Sequence, residues 1–302
     1  MTSCTHAEQL STIPDLLKIG KLIGDYSLVV SNSRFSIGEI ARIKFWELWG
    51  ERNLLLRPVV SSLIPGWMLA RGFAQTGAKD IIYVSEGSQQ RYHKVGLPKG
   101  QYFRPVVDQS YGSSLSNNSK PDQLTLCYFG PPLFLRGVSE SIQAFEKAAA
   151  RNPKIHLKLL IRLRKETEYQ QRYRKLLEQV KSSSYSERIH IDDRYMTPAE
   201  LKAELDQSDI FLLPFKITVS DSPLVIIESA LTGKPVVSLD TPGVTEFVNE
   251  FGGVTCNQVD QLSDAILEAC NKQTKSGKID TKWLSWSASV NHLMDGLLSE
   301  NS

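Results

Sequence analysis

The chain has 302 residues, enough for two domains and for a core that needs neither disulfides nor a metal to hold it. Apolar residues make up 41% and charged residues 23%, which excludes a disordered or fibrous chain. The 35 basic and 33 acidic side chains leave +2; residues 1–120 are mildly basic, too weakly to indicate nucleic acid but compatible with an anionic partner or membrane surface.

Residues 1–12 lack the basic start and apolar core of a signal peptide. Short buried strands are predicted at 26–30 and 81–84. A helix is predicted at 37–49, where Ile40, Ile43 and Leu48 alternate at helical spacing with Glu39, Arg42, Lys44 and Glu47. The apolar stretch 54–70 contains Arg57, Pro58, Pro65 and Gly66 and is too broken to span a bilayer. It reads as core or domain interface, with shallow docking of Trp67 on a membrane as the alternative. Residues 110–119 hold seven Ser or Asn, one Gly and no charge, and form a linker.

Beyond the linker the pattern is regular. Strands are predicted at 124–129, 155–161, 189–191, 209–213 and 235–239, and helices at 138–150, 166–181 and 260–271. Two further helices open at Thr197-Pro198-Ala199-Glu200, a capping box with proline at the first helical position, and at Ser222-Pro223, the latter closed by Gly233. Alternating short apolar strands and helices specify a parallel sheet covered on both faces. Cysteines 4, 127, 256 and 270 form no C-x-x-C and are expected to be reduced thiols of a cytoplasmic protein.

Ligands of open parallel sheets bind beyond the carboxyl ends of strands. Two strand-to-helix loops draw attention there. The first, Gly130-Pro131-Pro132-Leu133-Phe134-Leu135-Arg136-Gly137, ends in a cation at a helix start: either a phosphate grip beside helix N–H donors or a surface arginine. The second, residues 214–223, enters a helix whose first turns read Pro-Leu-Val-Ile-Ile. The N–H groups of Ser222, Leu224 and Val225 are free to face an anion there. Glu228 follows in an apolar segment, where a carboxylate needs partners: ribose hydroxyls, or else solvent or a nearby loop. The ten Lys or Arg against three Glu in residues 151–181 read as a solvated helix face, or as contact with anionic lipid or an acidic acceptor. His6 and His93 read as surface residues. No dinucleotide fingerprint, complete phosphate-loop motif or metal-ligand cluster occurs.

Residues 209–248 resemble the signature stretch of the retaining, glycogen-synthase-like (group 1, family 4) glycosyltransferases. In that family two glutamates eight positions apart flank a Gly-rich turn, followed by a small-residue helix, Gly-Lys-Pro-Val-Val and Gly-x-x-Glu. Glu228 matches the second glutamate; residues 233–237 and 243–246 match the rest. Residues 129–137 resemble the family's phosphate loop, with Arg136 for its usual lysine, and Leu284-Ser285-Trp286 resembles its C-terminal ending.

The resemblance, which covers roughly residues 80–300, implies an α/β GT-B fold of two Rossmann-like lobes. The lobes would be a reduced acceptor-side lobe over 1–118 and a complete donor lobe with a C-terminal helix over 119–302. It implies sugar transfer from a nucleotide sugar to an acceptor hydroxyl with retention, serving polysaccharide or glycolipid synthesis. The alternative is a non-catalytic or split-enzyme donor-binding subunit that needs a partner chain. It further implies Glu228 on ribose, Ser222 and Leu224 at the phosphate and sugar, Arg136 at the diphosphate and Tyr195 beside the base, with Gly130, Ser220, Asp221 and Val225 also in the donor site. No catalytic residue is assigned, and no cofactor or metal is expected, the nucleotide sugar being a substrate. The expected partners are that donor and an acceptor glycan or glycolipid, with peripheral membrane contact and a partner subunit as further options and no nucleic acid. The sequence departs from the family at Ser220, where the first glutamate is expected, at Pro131, where a second phosphate cation is expected, and in the short first lobe without its Gly-rich loop.

Overall fold

The computed structural model describes residues 28–33, 53–58, 66–75, 80–103, 105–107, 122–217, 223–241 and 243–272, and residues 288–291, 293 and 295. The helix expected at 37–49, the linker 110–119, Ser220, Asp221, Ser222 and the segment 284–286 lie outside the described residues. The chain divides into two compact units, residues 1–83 with 89–101, and residues 84–88 with 102–302.

The first unit holds a four-stranded sheet in sequence order, β1 (Leu28–Ser33), β2 (Asn53–Pro58), β3 (Asp80–Tyr83) and β4 (Gln101–Tyr102). β1, β2 and β3 pair in parallel. The apolar stretch 54–70 is divided between β2 and α1 (Gly66–Ala74), because Pro58 and Pro65 end one element and precede the next. Leu69 is buried on α1 while Trp67 is 65% exposed. Leu69 of α1 and Tyr92 of α2 (Glu86–His93), a helix whose first three residues belong to the second unit, form a small core with Ile81, Tyr83 and Leu97. Tyr83 stacks on Tyr92 at 5.8 Å and its hydroxyl donates to the Pro98 carbonyl at 2.8 Å.

The second unit is a six-stranded parallel sheet. Its strands are β5 (Leu124–Gly130), β6 (Ile155–Ile161), β7 (Ile189–Asp192), β8 (Ile210–Leu212), β9 (Val236–Leu239) and β10 (Val254–Cys256), in the order β10-β9-β8-β5-β6-β7. Five helices connect them, α3 (Val138–Arg151), α4 (Thr167–Ser182), α5 (Pro198–Asp206), α6 (Leu224–Leu231) and the short α7 (Thr245–Glu250), and α8 (Leu262–Asn271) follows β10. The central strands are buried on both faces: Leu126, Cys127, Tyr128 and Phe129 of β5, all of β8 and all of β9. This is the continuous apolar pattern of a sheet covered on two sides. Cys127 is fully buried, and desolvation pushes its thiol up to about 12.

Local chemistry sets the helix ends. At α5 the Glu200 N–H donates to Thr197 Oγ1 (3.3 Å) and the Thr197 N–H donates to Glu200 Oε2 (2.8 Å), the expected reciprocal cap. α6 begins one residue later than its Ser-Pro signal suggests, with Pro223 as N-cap. Gly233, at φ 73°, closes its end as expected. Ile226, Ile227, Ala230 and Leu231 of α6 are buried, each of the larger ones contributing about 1.5–3 kcal/mol relative to exposure. α7 and β10, too short to show a period, are not evident in the sequence pattern.

Candidate functional site

The strand order reverses between β5 and β8. From β5 the chain runs outward through β6 and β7, then returns to place β8 on β5's other side. Such a switch point leaves a crevice at the carboxyl ends of the two strands, because their connections diverge to opposite faces. The two loops singled out in the sequence are the loops that leave these two strands.

The loops are fixed to each other. After β5, the Tyr128 hydroxyl donates to the Pro131 carbonyl (2.8 Å), and a single helical turn, Phe134–Arg136, leads to Gly137 at φ 73°. A Cβ at Gly137 would lie 2.1 Å from the Pro214 carbonyl oxygen, so glycine is required both by the backbone conformation and by the close approach of the second loop. The Lys216 N–H donates to the Leu135 carbonyl at 3.1 Å. Lys216 Nζ pairs with Glu140 of α3 and stands 3.5 Å from the centre of the Phe134 ring. Behind the second loop, the Ser238 hydroxyl donates to the Leu213 carbonyl (2.7 Å) and the Thr241 hydroxyl to the Phe215 carbonyl (2.5 Å).

Arg136 sits in this frame at the start of α3. Its guanidinium lies 4.6 Å from the Phe215 ring centre, and burial lowers its pKa from the ordinary arginine value, with Tyr128 and Tyr169 opposing that. Among the described residues it has no carboxylate partner. A half-buried cation on an aromatic face, beside the N–H donors of a 14-residue helix, is an arrangement that attracts an anion.

Glu228 lies on α6, half-buried. Desolvation raises its carboxyl above the usual range, and the positive charge of Arg162 opposes the rise. No hydrogen-bond donor reaches it among the described residues. Leu224 is 43% exposed at the first position of α6 and Val225 is half-buried. Gly130 and Arg136 thus lie on the β5 side of the switch point, and Leu224, Val225 and Glu228 on the helix that follows β8.

Tyr195 stands apart on the loop after β7 and is 92% exposed. Its neighbour Arg194 is held by Asp192 at 2.6–3.1 Å, and that contact keeps the Asp192 carboxyl below the usual range. Glu246, the last position of the Gly-x-x-Glu match, accepts from the N–H groups of Glu86 (3.1 Å) and Gly87 (2.6 Å), residues of the same unit.

The basic segment 151–181 does not form one face. Arg151 pairs with Asp264, Lys154 with Asp122 (3.7 Å), Lys158 with Glu204 (2.8 Å) and Arg172 with Glu168 (2.8 Å). Arg162 is the residue there that sequence reasoning left unassigned. It lies at the end of β6, and its only sequence signal is a cation directly after a buried apolar strand.

A cavity of about 360 Å³ opens at the amino ends of β5 to β8, lined by Thr125, His156, Lys158, His190 and Asp209 among others. It lies at the far end of the strands from the two loops, where no helix N-terminus follows a strand. Among the described residues, no cluster of three His, Cys, Asp or Glu could hold a metal, and no helix is long and apolar enough to cross a membrane.

Residues 124–272 match the family model described as glycosyl transferases group 1. The fold is similar to that of Anabaena Alr3699/HepE, solved in complex with UDP and glucose: TM-score 0.66, 16% identity, 96% of this chain and 81% of that one. It is also similar to the α,α-trehalose 6-phosphate synthase of Burkholderia multivorans, with TM-score 0.69 and 13% identity over 95% of this chain and 77% of that one. No curated protein sequence matches. The fold is thus the α/β GT-B class expected from the sequence, and residues 124–272 are similar to the glycosyl transferase group 1 family.

Proposed function

We propose that the chain transfers a sugar from a nucleotide-sugar donor to an acceptor hydroxyl with retention of the anomeric configuration. The observation that carries this reading is Arg136, a half-buried cation without a carboxylate partner among the described residues, set at a helix start in the switch-point crevice. The leaving diphosphate gathers negative charge as the glycosidic bond breaks. Arg136 and the N–H groups at the start of α3 stabilise that charge, and a preorganised field of this kind is usually the largest contribution to such a reaction. Glu228 accepts from the ribose hydroxyls, which replace the water its carboxylate has lost. The leaving diphosphate takes the acceptor proton, so no protein nucleophile is required. Charge neutralisation is assigned to the chain's own cation and dipoles, without a metal.

The UDP bound to the Anabaena structure makes uridine diphosphate sugars the first donors to try. A thermal-shift panel of nucleotide sugars should show one class raising the melting temperature, because a ligand stabilises by RT ln(1 + [L]/Kd). NMR of the transfer product then reads its anomeric configuration. A panel without any stabilising nucleotide sugar sinks the reading, and an inverted product sinks retention. The absence of a cation at Pro131 and of a glutamate at Ser220 supports a second reading, a donor-binding subunit that acts with a partner chain. Binding without transfer or hydrolysis by the purified chain favours that one.

A further inference from the structure

The expected donor site lacks one cation, because Pro131 stands where a basic residue is expected. The β5–β6 ladder shows what lies beside that position. Its register runs from Leu124↔Ile155 to Gly130↔Ile161, so the next pair in line is Pro131 and Arg162. The ladder does continue to that point: the Arg162 N–H donates to the Gly130 carbonyl at 3.0 Å. Neighbouring strands are about 4.8 Å apart, a gap that an arginine side chain easily crosses.

Three further observations concern the charge of Arg162. The side chain is exposed, as are Lys165, Arg174, Lys175 and Lys181 of the same basic segment, whereas Arg151, Lys154, Lys158 and Arg172 are each paired with a carboxylate and Arg164 lies over the Tyr169 ring at 5.4 Å. Arg162 has no carboxylate within ion-pair distance among the described residues. Its charge nevertheless acts on the Glu228 carboxyl, which places it toward α6 and the ribose end of the crevice. Arg136, from the other side of the same loop, is the first cation. With one carboxylate and two guanidinium groups, the crevice carries an excess positive charge that a diphosphate would offset.

We propose that Arg162 is the second diphosphate-binding cation of the donor site, supplied by β6 in place of the one that Pro131 omits from β5. This rests on the donor-site reading above and adds a specific residue to it. A guanidinium at this place can take two phosphate oxygens at once, which an ammonium cannot. The exchange of strands also moves the cation toward the ribose, so it meets the diphosphate nearer the nucleoside than the sugar.

The test is titration calorimetry of the full chain with uridine diphosphate, uridine monophosphate and uridine, using wild type, Arg162→Ala, Arg162→Lys, Glu228→Gln and the double variant Arg162→Ala/Glu228→Gln. Arg162→Ala should weaken uridine diphosphate binding by roughly 10- to 100-fold, the range for hydrogen bonds to a charged group, and uridine binding by much less. Arg162→Lys should recover part of the loss. The diphosphate-specific loss should persist when Glu228→Gln is the reference. Equal losses for diphosphate and nucleoside, or a loss that vanishes in the Glu228→Gln background, would reduce Arg162 to a counter-ion of Glu228 and overturn the proposal. A wild type that binds uridine diphosphate alongside an unchanged Arg162→Ala overturns this inference alone. A wild type that binds no nucleoside diphosphate, with adenosine and guanosine diphosphates also tried, overturns the donor site itself.

Discussion

Glu228 and Glu246 lie on successive helices of one sheet, and burial raises the carboxyl of both. Their surroundings differ in donors. Glu246 receives two backbone N–H groups, from Glu86 and Gly87, and its desolvation is compensated inside the fold. Among the described residues, Glu228 has only the charge of Arg162. Burial alone does not distinguish a structural carboxylate from a binding one; the presence of satisfied donors does. The same contrast separates Lys216, committed to Glu140 and the Phe134 ring, from Arg136, which lies over Phe215 without an anionic partner among the described residues. One member of each pair is satisfied within the fold; the other is the one we propose to face the donor.

The strongest way to break this division is at the frame. Gly137→Val places side-chain atoms against the Pro214 carbonyl at a left-handed backbone position, and should cost about 3 kcal/mol or more, read from the urea midpoint. A cost below about 1 kcal/mol would mean that the two loops are not locked. Next is Glu246→Ala, which strips the acceptor from two N–H groups. The expected loss is about 2 kcal/mol of unfolding free energy, with nucleoside diphosphate affinity otherwise unchanged at a temperature where the variant is folded. Were affinity to fall with stability intact, Glu246 would belong to the binding side of the comparison.

On the ligand side, Arg136→Ala should leave stability nearly unchanged and lower affinity for a nucleoside diphosphate at least tenfold, about 1.5 kcal/mol, with a smaller effect on the nucleoside. Calorimetry showing equal losses would remove Arg136 from the phosphates. The smallest effect is expected at Glu228. Its folded carboxyl holds a proton more tightly than the unfolded chain does, so ionisation costs stability. That cost is absent below the ordinary carboxyl range, grows as pH rises through it and is complete above the folded value. Glu228→Gln should therefore be more stable than wild type at about pH 8, by less than about 1 kcal/mol, converging with it near pH 4 while binding donor less well. Paired denaturation curves at the two pH values check the sign; a less stable variant at high pH would show that Glu228 has donors after all.

Much of the second unit was legible from the sequence because each signal there is local. The strand at 155–161 is an apolar run with bounds set by Pro153 and a basic end, and the Thr197 box and Gly233 stop announce helix limits through their own backbone chemistry. The two loops at the crevice were legible as strand-to-helix turns of unusual composition. Arg162 was not, because its place depends on which strand lies beside β5, and sequence spacing carries no register. In the sequence it joined a count of charges along 151–181 that the fold distributes among an inner strand, two helices and a loop. Pro223 shows a finer limit: a helix-start signal fixes the turn, but the first helical residue depends on which N–H groups the neighbouring loop leaves open.

The burial of Cys127 has a kinetic consequence. Its thiol lies on the strand next to the crevice, fully enclosed and pushed up to about 12, so at neutral pH almost no thiolate is present and no reagent can approach it. Alkylation there must wait for the sheet to open. The half-buried Cys256 on the edge strand, raised to about 11, is reached by a smaller fluctuation. The two labelling rates, followed separately by mass spectrometry, give a native-state clock for whole-sheet opening against edge fraying. A bound nucleotide that bridges β5 and β8 should slow the Cys127 clock far more than that of Cys256.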